Sequence, residues 1–333
     1  MRVLVTGGGG FLGGAIVNEL LARGHEVRSV SRSHYASLEE RGVPSLQADL
    51  AEGGPALLAA LKNVDCVIHC AAKAGVAGSR ASYMRANFEG TKNLLTAAQT
   101  QGVSRFVHTS SPSVCFDGTD HVDAGPDLPH ATRFLAPYPE SKSLAEKAVL
   151  AAHNGQDFNT CALRPHLIFG PGDPHLLPKL LNRARAGRLM QVGDGTNRVS
   201  MTFVENGALA HVLAAEKLAP DAAIAGRAYF LGQKESVNLW AWVGELLAAL
   251  DLPPVKRKVS LRFAYNMGAL LERVHRVLGR QGDPAMSRFI AQQLATSHSY
   301  DMSFLESDLG YEQRVDFAEA TRRTVQALRQ TGW

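Results

Sequence analysis

Short apolar segments alternate with amphipathic segments over residues 1–165. The apolar segments have the length of strands, and the segments between them repeat apolar residues at helical spacing. The pattern predicts strands at 3–6, 26–30, 45–48, 66–69, 106–109 and 160–163. It predicts helices at 11–23, 55–61, 83–101 and 138–152. Strands that alternate with helices indicate βαβ units and therefore an α/β fold with a doubly wound, mostly parallel sheet.

The pattern becomes irregular after residue 164, where several prolines and glycines predict a long loop. Further along, it predicts helices at 176–188, 205–218 and 239–250 and strands at 199–204 and 228–231. We therefore expect a first domain at 1–170 and a smaller, mostly helical region at 171–333. Segments around 199–231 are expected to return to the first domain.

The composition is that of an ordinary soluble globular protein, with 333 residues, 45% of them hydrophobic and 20% charged. A net charge of +4 gives no support to a nucleic-acid function. No apolar run reaches the ~18 residues of a membrane span, and Met1-Arg2 leads directly into the first strand without a signal peptide. The four cysteines lack the spacing of a zinc or redox site, so we expect no metal and a cytoplasmic location.

A glycine-rich loop connects the first predicted strand to the first predicted helix. It fits two spacings, Gly8-x-Gly10-x-x-Gly13 and Gly7-x-x-Gly10-x-x-Gly13. Glycines let the backbone approach a pyrophosphate, whose negative charge is stabilised at the N-terminus of the following helix. The context of strand, loop and helix therefore predicts a Rossmann-type domain that binds a dinucleotide.

The end of the second predicted strand indicates which dinucleotide is bound. An NAD site usually has an acidic residue there, whereas this chain has Ser31-Arg32-Ser33 and no acid before Glu39. Arg32 and the serines are suited to bind a 2′-phosphate, so we expect NADP(H) in preference to NAD(H). The alternative is that Arg32 is only a surface residue. Asp49 follows the third strand and is expected either to accept from the adenine amino group or to form a turn.

Tyr138 and Lys142 lie four residues apart on a predicted helix and therefore share a face. An unperturbed tyrosine, with a pKa of about 10, is a poor base, but a nearby ammonium and an oxidised nicotinamide both favour the phenolate. Ser111 follows the fifth strand and is expected to hold the reacting oxygen, with Ser110 and Ser113 as alternatives. Together these side chains predict reversible hydride transfer at a carbinol, with Tyr138 as general acid and base.

Six stretches resemble one known group of enzymes. They are 5–13, 69–72, 87–91, 108–111, 138–142 and 163–172. With them the chain resembles the extended short-chain dehydrogenase/reductase superfamily. Within it, the chain is similar to the 3β-hydroxysteroid dehydrogenase group, which includes sterol-4-carboxylate 3-dehydrogenases and bacterial 2-alkyl-3-oxoalkanoate reductases.

The resemblance implies roles for particular residues. Tyr138 is the proton donor or acceptor, Lys142 binds the nicotinamide ribose, and Ser111 is the active-site hydroxyl. Asn87 stabilises the active-site helix, and the backbone from Pro165 to Ile168 lines the nicotinamide. The residues expected to contact the cofactor are Gly7, Gly10, Phe11, Leu12, Gly13, Ser31, Arg32, Asp49, Leu50, Ala71, Ala72, Lys73, Asn87, Pro165, Leu167 and Ile168.

The resemblance also implies the class of substrate. We expect a 3-hydroxy or 3-oxo group on a hydrophobic, lipid-like molecule, as in 3β-hydroxysteroid or sterol-4-carboxylate dehydrogenases. The alternative is a 2-alkyl-3-oxoalkanoate, a β-keto acid, and a nucleotide-sugar epimerase or dehydratase is the weaker candidate. His166 and His175 are close enough in sequence to the site to contact substrate, although loop histidines are more often structural.

Residues 251–300 contain eight lysines and arginines against three acidic residues, interleaved with apolar side chains. This composition indicates either a helical cap whose apolar face packs on the core, or a surface for peripheral membrane contact. The chain is also compatible with a homodimer.

Overall fold

The chain folds around a seven-stranded sheet in a computed structural model that describes residues 1–76, 78–278 and 282–333. The strands are β1 (Arg2–Thr6), β2 (Glu26–Ser31), β3 (Ser45–Gln47), β4 (Cys66–His69), β5 (Arg105–Thr109), β6 (His121–Ala124), β7 (Asn159–Pro165), β8 (Ile168–Phe169), β9 (Met190–Val192), β10 (Arg198–Val199), β11 (Thr202–Phe203), β12 (Ala228–Leu231), β13 (Val237–Asn238), β14 (Arg257–Val259) and β15 (His298–Tyr300). The helices are α1 (Phe11–Ala22), α2 (Ala36–Glu39), α3 (Pro55–Leu61), α4 (Arg80–Tyr83), α5 (Gly90–Thr100), α6 (Pro137–Ala151), α7 (Leu176–Arg185), α8 (Val204–Lys217), α9 (Leu239–Ala249), α10 (Leu261–Val277), α11 (Arg288–Ala295), α12 (Ser303–Leu309) and α13 (Phe317–Gln330).

The large sheet has the strand order β12-β7-β5-β4-β1-β2-β3, and every neighbouring pair is parallel. All residues of β4 and β7 are buried, as expected where helices cover both faces of a parallel sheet. The predicted doubly wound α/β fold is confirmed. Because all strands run the same way, their carboxyl ends meet at one edge, where open α/β sheets bind ligands.

Helices pack on both faces of this sheet. On one face, α1 and α8 contact each other and bury Ile16, Leu20 and Val212 against the strands. On the other face, α3 and α5 bury Leu57 and Leu94 in a separate apolar cluster. The burial on both faces explains why the strand sequences are almost continuously apolar and do not alternate.

A third apolar cluster lies in the C-terminal half, around Phe169, Phe203 and Trp242. Beside it, a four-stranded sheet with the order β13-β10-β15-β6 joins distant parts of the chain, because β6 comes from the first half and β15 from the last. The strand β12 pairs with β7 at the edge of the large sheet. The division into a cofactor-binding and a substrate-binding region stays a prediction.

Two predicted elements differ from the structure. The helix predicted at 83–101 is a short α4, a π-helical segment at Met84–Glu89 and then α5. The strand predicted at 199–204 is split, because β10 pairs with β13 and β15 whereas β11 pairs with β8. The chain crosses from one small sheet to another between them. Within the described residues, no helix is long and apolar enough to span a membrane.

Candidate active site

A cavity of about 600 Å³ opens at the carboxyl edge of the large sheet. It is lined by the glycine loop, by the residues that follow β2, β4 and β5, and by the turn after β7. The residues expected at the site that line it are Gly7, Gly10, Phe11, Leu12, Gly13, Ser31, Arg32, Asp49, Leu50, Ala71, Ala72, Lys73, Ser111, Tyr138, Lys142, Pro165, Leu167 and Ile168. Asn87 lies behind the cavity wall. The chain therefore brings residues up to 161 positions apart, from Gly7 to Ile168, into one site.

The glycine loop has the geometry that close approach to a ligand requires. Gly7 adopts a φ of 71°, and its amide donates to the carbonyl oxygen of Val30 at 2.9 Å. A Cβ on Gly13 would collide with the Gly7 carbonyl oxygen, because α1 packs directly against the loop. The N-cap of α1, Gly10, provides no side-chain hydrogen bond. The first backbone amides of α1 are thus not capped by the N-cap residue and suit an anionic ligand.

Tyr138 lies in the first turn of α6 and directly follows Pro137, the residue at which the helix begins. Its side chain interacts with that of Ser111, and both line the cavity. Burial raises the pKa of Tyr138, and the interaction with Ser111 opposes this effect only in part. Within the chain itself Tyr138 is therefore a protonated acid, whereas the sequence led us to expect a shift toward phenolate. Desolvation of the phenolate is the physical reason for the difference.

Ser111 is held in place by its neighbour. Ser113 donates to the Ser111 hydroxyl oxygen through both its backbone amide, at 3.3 Å, and its side chain, at 2.9 Å. Ser110 and Ser113 also line the cavity, but the pKa of Tyr138 is influenced by Ser111. Of the three serines left open by the sequence, Ser111 is thus the one that affects Tyr138, and it stays the predicted active-site hydroxyl.

Lys142 lies one helical turn after Tyr138 and is only 2% exposed. Its Nζ donates to the carbonyl oxygen of Thr109 at 2.5 Å and lies 3.2 Å from His108 Nε2. Burial lowers the pKa of Lys142 to about 8, while the negative charge of Glu146 acts in the opposite direction. Lys142 is thus a buried amine whose charge depends on a few fixed partners.

Asn87 connects the cavity wall to the active-site helix. Its amide nitrogen donates to Ser141 Oγ at 2.9 Å and to the Lys73 carbonyl oxygen at 3.1 Å, while its amide oxygen accepts from the Lys73 backbone amide. Asn87 belongs to the π-helical segment, a rare local structure that often occurs at functional sites. Its position is that of a residue which orders Lys73 and α6.

The polar residues after β2 and β3 differ in how many partners they have. Arg32 is exposed and forms no ion pair with the residues that the structure describes. Both carboxylate oxygens of Asp49 are engaged, one accepting from the Ala51 amide and the other pairing with Arg85 at 3.0 Å. These contacts are those of a turn residue, the alternative that the sequence left open for Asp49.

The far end of the chain adds cavity residues that sequence reasoning missed. They are Phe289, Gln293 and Tyr300, and Tyr35, which follows β2, was missed as well. Tyr35 covers the glycine loop, since a Cβ on Gly9 would overlap its ring. No spacing in the sequence points to Phe289, Gln293 and Tyr300, because they reach the cavity only through long-range packing. His166 and His175 also line the cavity, the first buried and the second exposed.

The chain is similar to known oxidoreductases over nearly its whole length. Residues 4–262 match the model of the 3-beta hydroxysteroid dehydrogenase/isomerase family. A 2-alkyl-3-oxoalkanoate reductase from Stenotrophomonas maltophilia (strain K279a) is 46% identical over 325 residues, 97% of this chain and 98% of the relative. The decarboxylating sterol-4-alpha-carboxylate 3-dehydrogenase of Mus musculus is 36% identical over 331 residues, 98% of this chain and 91% of the relative.

Solved structures give the same picture of the fold. The dTDP-glucose 4,6-dehydratase DesIV from Streptomyces venezuelae, solved with NAD bound, superposes with a TM-score of 0.77. The two sequences are 25% identical, and the superposition covers 99% of this chain and 97% of the DesIV chain. The resemblance to extended short-chain dehydrogenases that the sequence motifs indicated is thus confirmed.

Proposed function

Because the chain belongs to the 3-beta hydroxysteroid dehydrogenase/isomerase family, we propose that it transfers hydride between a nicotinamide dinucleotide and the 3-oxo or 3-hydroxy group of a lipid-like acid. The observation that carries the proposal is that Tyr138, Ser111 and Lys142 line the same cavity as the glycine loop. Two hydroxyls and an amine at the carboxyl edge of the sheet are the groups that carbonyl reduction requires.

The residues of the cavity fit a dinucleotide. The uncapped N-terminus of α1 suits the pyrophosphate, and the loop geometry that excludes a Cβ at Gly13 leaves the backbone accessible. When bound, the nicotinamide supplies or accepts the hydride. Pro165, Leu167 and Ile168 line the cavity where they suit the nicotinamide, as the family resemblance implies.

In the direction of reduction, Tyr138 gives its hydroxyl proton to the substrate 3-oxo oxygen as the hydride reaches C3. Ser111 donates a hydrogen bond to the same oxygen and so stabilises the negative charge that develops there. The raised pKa of Tyr138 keeps the proton available at neutral pH. In the direction of oxidation, the ammonium of Lys142 and the positive charge of the oxidised nicotinamide favour the phenolate.

For the substrate, we propose a 2-alkyl-3-oxo acid and its 2-alkyl-3-hydroxy product. The supporting observation is the relative from Stenotrophomonas maltophilia, which carries that name and is 46% identical along nearly the full length of both chains. A sterol-4-carboxylate is the second candidate, supported by the more distant mouse relative at 36% identity. Both substrates place a carboxylate-bearing carbon beside the reacting one, so the same hydride step serves either.

For the cofactor, we propose NADP(H). Arg32 follows β2 at the edge of the cavity and has no acidic partner within the described residues. A guanidinium in this place suits the 2′-phosphate through charge-assisted hydrogen bonds. The side chain of Ser31 donates to the Ser33 carbonyl oxygen at 2.7 Å, which fixes the turn that presents Arg32.

The proposed substrate is tested in the direction of oxidation, with a 2-alkyl-3-hydroxy acid and NADP⁺. The hydroxy acid is stable, whereas the β-keto acid needed for the reduction loses carbon dioxide spontaneously. We expect NADPH to form with the hydroxy acid, and a 4-carboxysterol to react at least about tenfold more slowly in kcat/KM. Turnover of the sterol alone would transfer the assignment to the second candidate. Turnover of a nucleotide sugar with neither lipid reacting would contradict the proposed function.

A further inference from the structure

Helix α10 carries a stripe of exposed apolar side chains. Among the described residues, seven large hydrophobic side chains are exposed, and four of them belong to α10 or follow it directly: Phe263, Leu270, Val277 and Leu278. Phe263, Leu270 and Val277 are seven residues apart and therefore lie on one side of the helix. They are between 56% and 77% exposed. We call these three residues the α10 stripe.

The α10 stripe cannot turn toward the protein, because the opposite side of the helix is fixed. Gly268 packs so closely on the start of α11 that a Cβ would lie 2.6 Å from the Ser287 carbonyl carbon. Glu272 accepts from the backbone amide of Arg288 at 2.7 Å and pairs with its guanidinium at 2.8 Å. The helical cap that the sequence suggested is present here, and the apolar stripe lies on its outer side.

Basic side chains accompany the α10 stripe. Arg262, Arg273 and Arg276 are exposed on the same helix and form no ion pair with residues of the described ranges. The exposed residues Lys256, Arg257 and Lys258 precede the helix. Of the nearby acids, Glu272 is paired with Arg288, and Asp283 contacts Lys179 at 2.6 Å. Arg280, which also belongs to the basic segment, lies outside the described residues.

We propose that α10 binds reversibly to an anionic phospholipid surface, with the α10 stripe inserted between the lipids and the arginines beside their headgroups. Apolar side chains flanked by cations on one helix face suit a membrane interface. Each basic side chain near such a surface adds to the attraction. A second copy of this chain fits the face less well, because it would bring two clusters of positive charge together.

The position of α10 close to the cavity suggests how membrane binding would serve the enzyme. Helix α11 packs directly on α10, and its side chains Phe289 and Gln293 line the cavity. Only α11 would thus lie between the membrane-bound helix α10 and the cavity that takes a lipid-like substrate. The proposed membrane binding is argued from the exposed face of α10 alone, and it does not depend on which substrate the enzyme uses.

Vesicle flotation with the full chain tests the proposal without measuring activity. The vesicles are phosphatidylcholine alone, or phosphatidylcholine mixed with phosphatidylglycerol. A stripe variant combines Phe263→Ser, Leu270→Ser and Val277→Ser, and a charge variant combines Arg262→Glu, Arg273→Glu and Arg276→Glu. Val122→Ser is the matched control, since Val122 is 69% exposed on β6 and far from α10 in sequence.

We expect the parent chain and the control to float with the anionic vesicles and to bind neutral ones at least about tenfold less. Salt at about 0.5 M should weaken the binding, and both combined variants should lose it at least about tenfold. Circular dichroism establishes that the variants are folded. Failure of the folded parent chain to bind anionic vesicles would overturn the proposal, as would unchanged binding by both variants. A dimer that dissociates in the stripe variant, without vesicle binding, would assign the face to a second copy.

Discussion

Lys142 Nζ lies 3.2 Å from His108 Nε2, and both side chains are buried beneath the cavity. Burial holds the pKa of His108 well below its usual value, and the charge of Lys142 lowers it further. The imidazole is therefore neutral and accepts a hydrogen bond from the ammonium. His69 and His211 lie close to His108 and share this buried environment. The Lys142 ammonium, which we propose binds the ribose, is thus stabilised by a hydrogen bond to an uncharged histidine.

His108→Phe should remove that support and shift the pH dependence of kcat. Without the acceptor, the buried ammonium of Lys142 is less stable, so its pKa falls and the charge is lost at lower pH. We expect the alkaline limb of the kcat profile to move down by about one pH unit, because a hydrogen bond to a charged group contributes on the order of 1.5–3 kcal/mol. His108→Gln, which keeps an acceptor, should restore part of the shift. Superimposable profiles for His108→Phe and the parent enzyme would contradict the role given to His108.

Gly13→Ala should weaken cofactor binding strongly, whereas Gly14→Ala should leave it nearly unchanged. A Cβ on Gly13 collides with the Gly7 carbonyl oxygen and must displace the loop. A Cβ on Gly14 meets no atom closer than 3.5 Å, an ordinary contact. Calorimetric titration with NADPH should give a dissociation constant raised at least about a hundredfold for the first variant. Similar dissociation constants for the two variants would show that the loop does not hold the dinucleotide.

Arg32→Glu should reverse the choice of cofactor. The new carboxylate repels a 2′-phosphate and accepts from the ribose hydroxyls of NAD, so the ratio of kcat/KM for NADPH to that for NADH should fall at least about a hundredfold. Arg28→Glu makes the same charge change on β2, the strand that precedes Arg32, and Arg28 does not line the cavity, so this variant should leave the ratio unaltered. An equal effect of both substitutions would assign the change to net charge alone.

Arg164→Met alone should destabilise the fold more than the double variant that replaces both Arg164 and its ion-pair partner Glu146. Glu146 is fully buried and contacts Arg164 at 2.6 Å and His130 at 2.7 Å. Removal of Arg164 alone leaves a buried carboxylate without its cation, at a cost of about 3–5 kcal/mol in the free energy of unfolding. The double variant Glu146→Gln, Arg164→Met should recover much of this loss. Urea denaturation measures both, and additive losses would contradict the coupling.

The same carboxylate should make stability depend on acid pH. Burial raises the pKa of Glu146, but its hydrogen bonds and the charge of Arg164 outweigh burial and lower it to about 2, against an ordinary value of 4.5. Its contribution is therefore fully present above about pH 4.5 and is lost as the pH falls toward 2. Glu146→Gln should flatten this part of the stability profile.

The sequence predicted those parts of the site that depend on local structure. The glycine loop, Tyr138 and Lys142 each belong to one strand, turn or helix, so their spacing alone indicated where they would lie. Tyr300 and Gln293 could not be predicted, because only the pairing of β15 with β6 and the packing of α11 bring them to the cavity. Burial likewise decided the direction of the pKa shift of Tyr138, and a sequence does not give burial.

Turnover by Tyr138→Phe tests the central claim most directly. Phenylalanine keeps the ring packed against its surroundings and removes only the hydroxyl that donates the proton. With the 2-alkyl-3-hydroxy acid and NADP⁺, we expect kcat to fall by about 10²–10⁴-fold, while NADPH binding changes little in a fluorescence titration. Turnover equal to that of the parent enzyme, with the cofactor still bound, would contradict the assignment of Tyr138 as the acid and base.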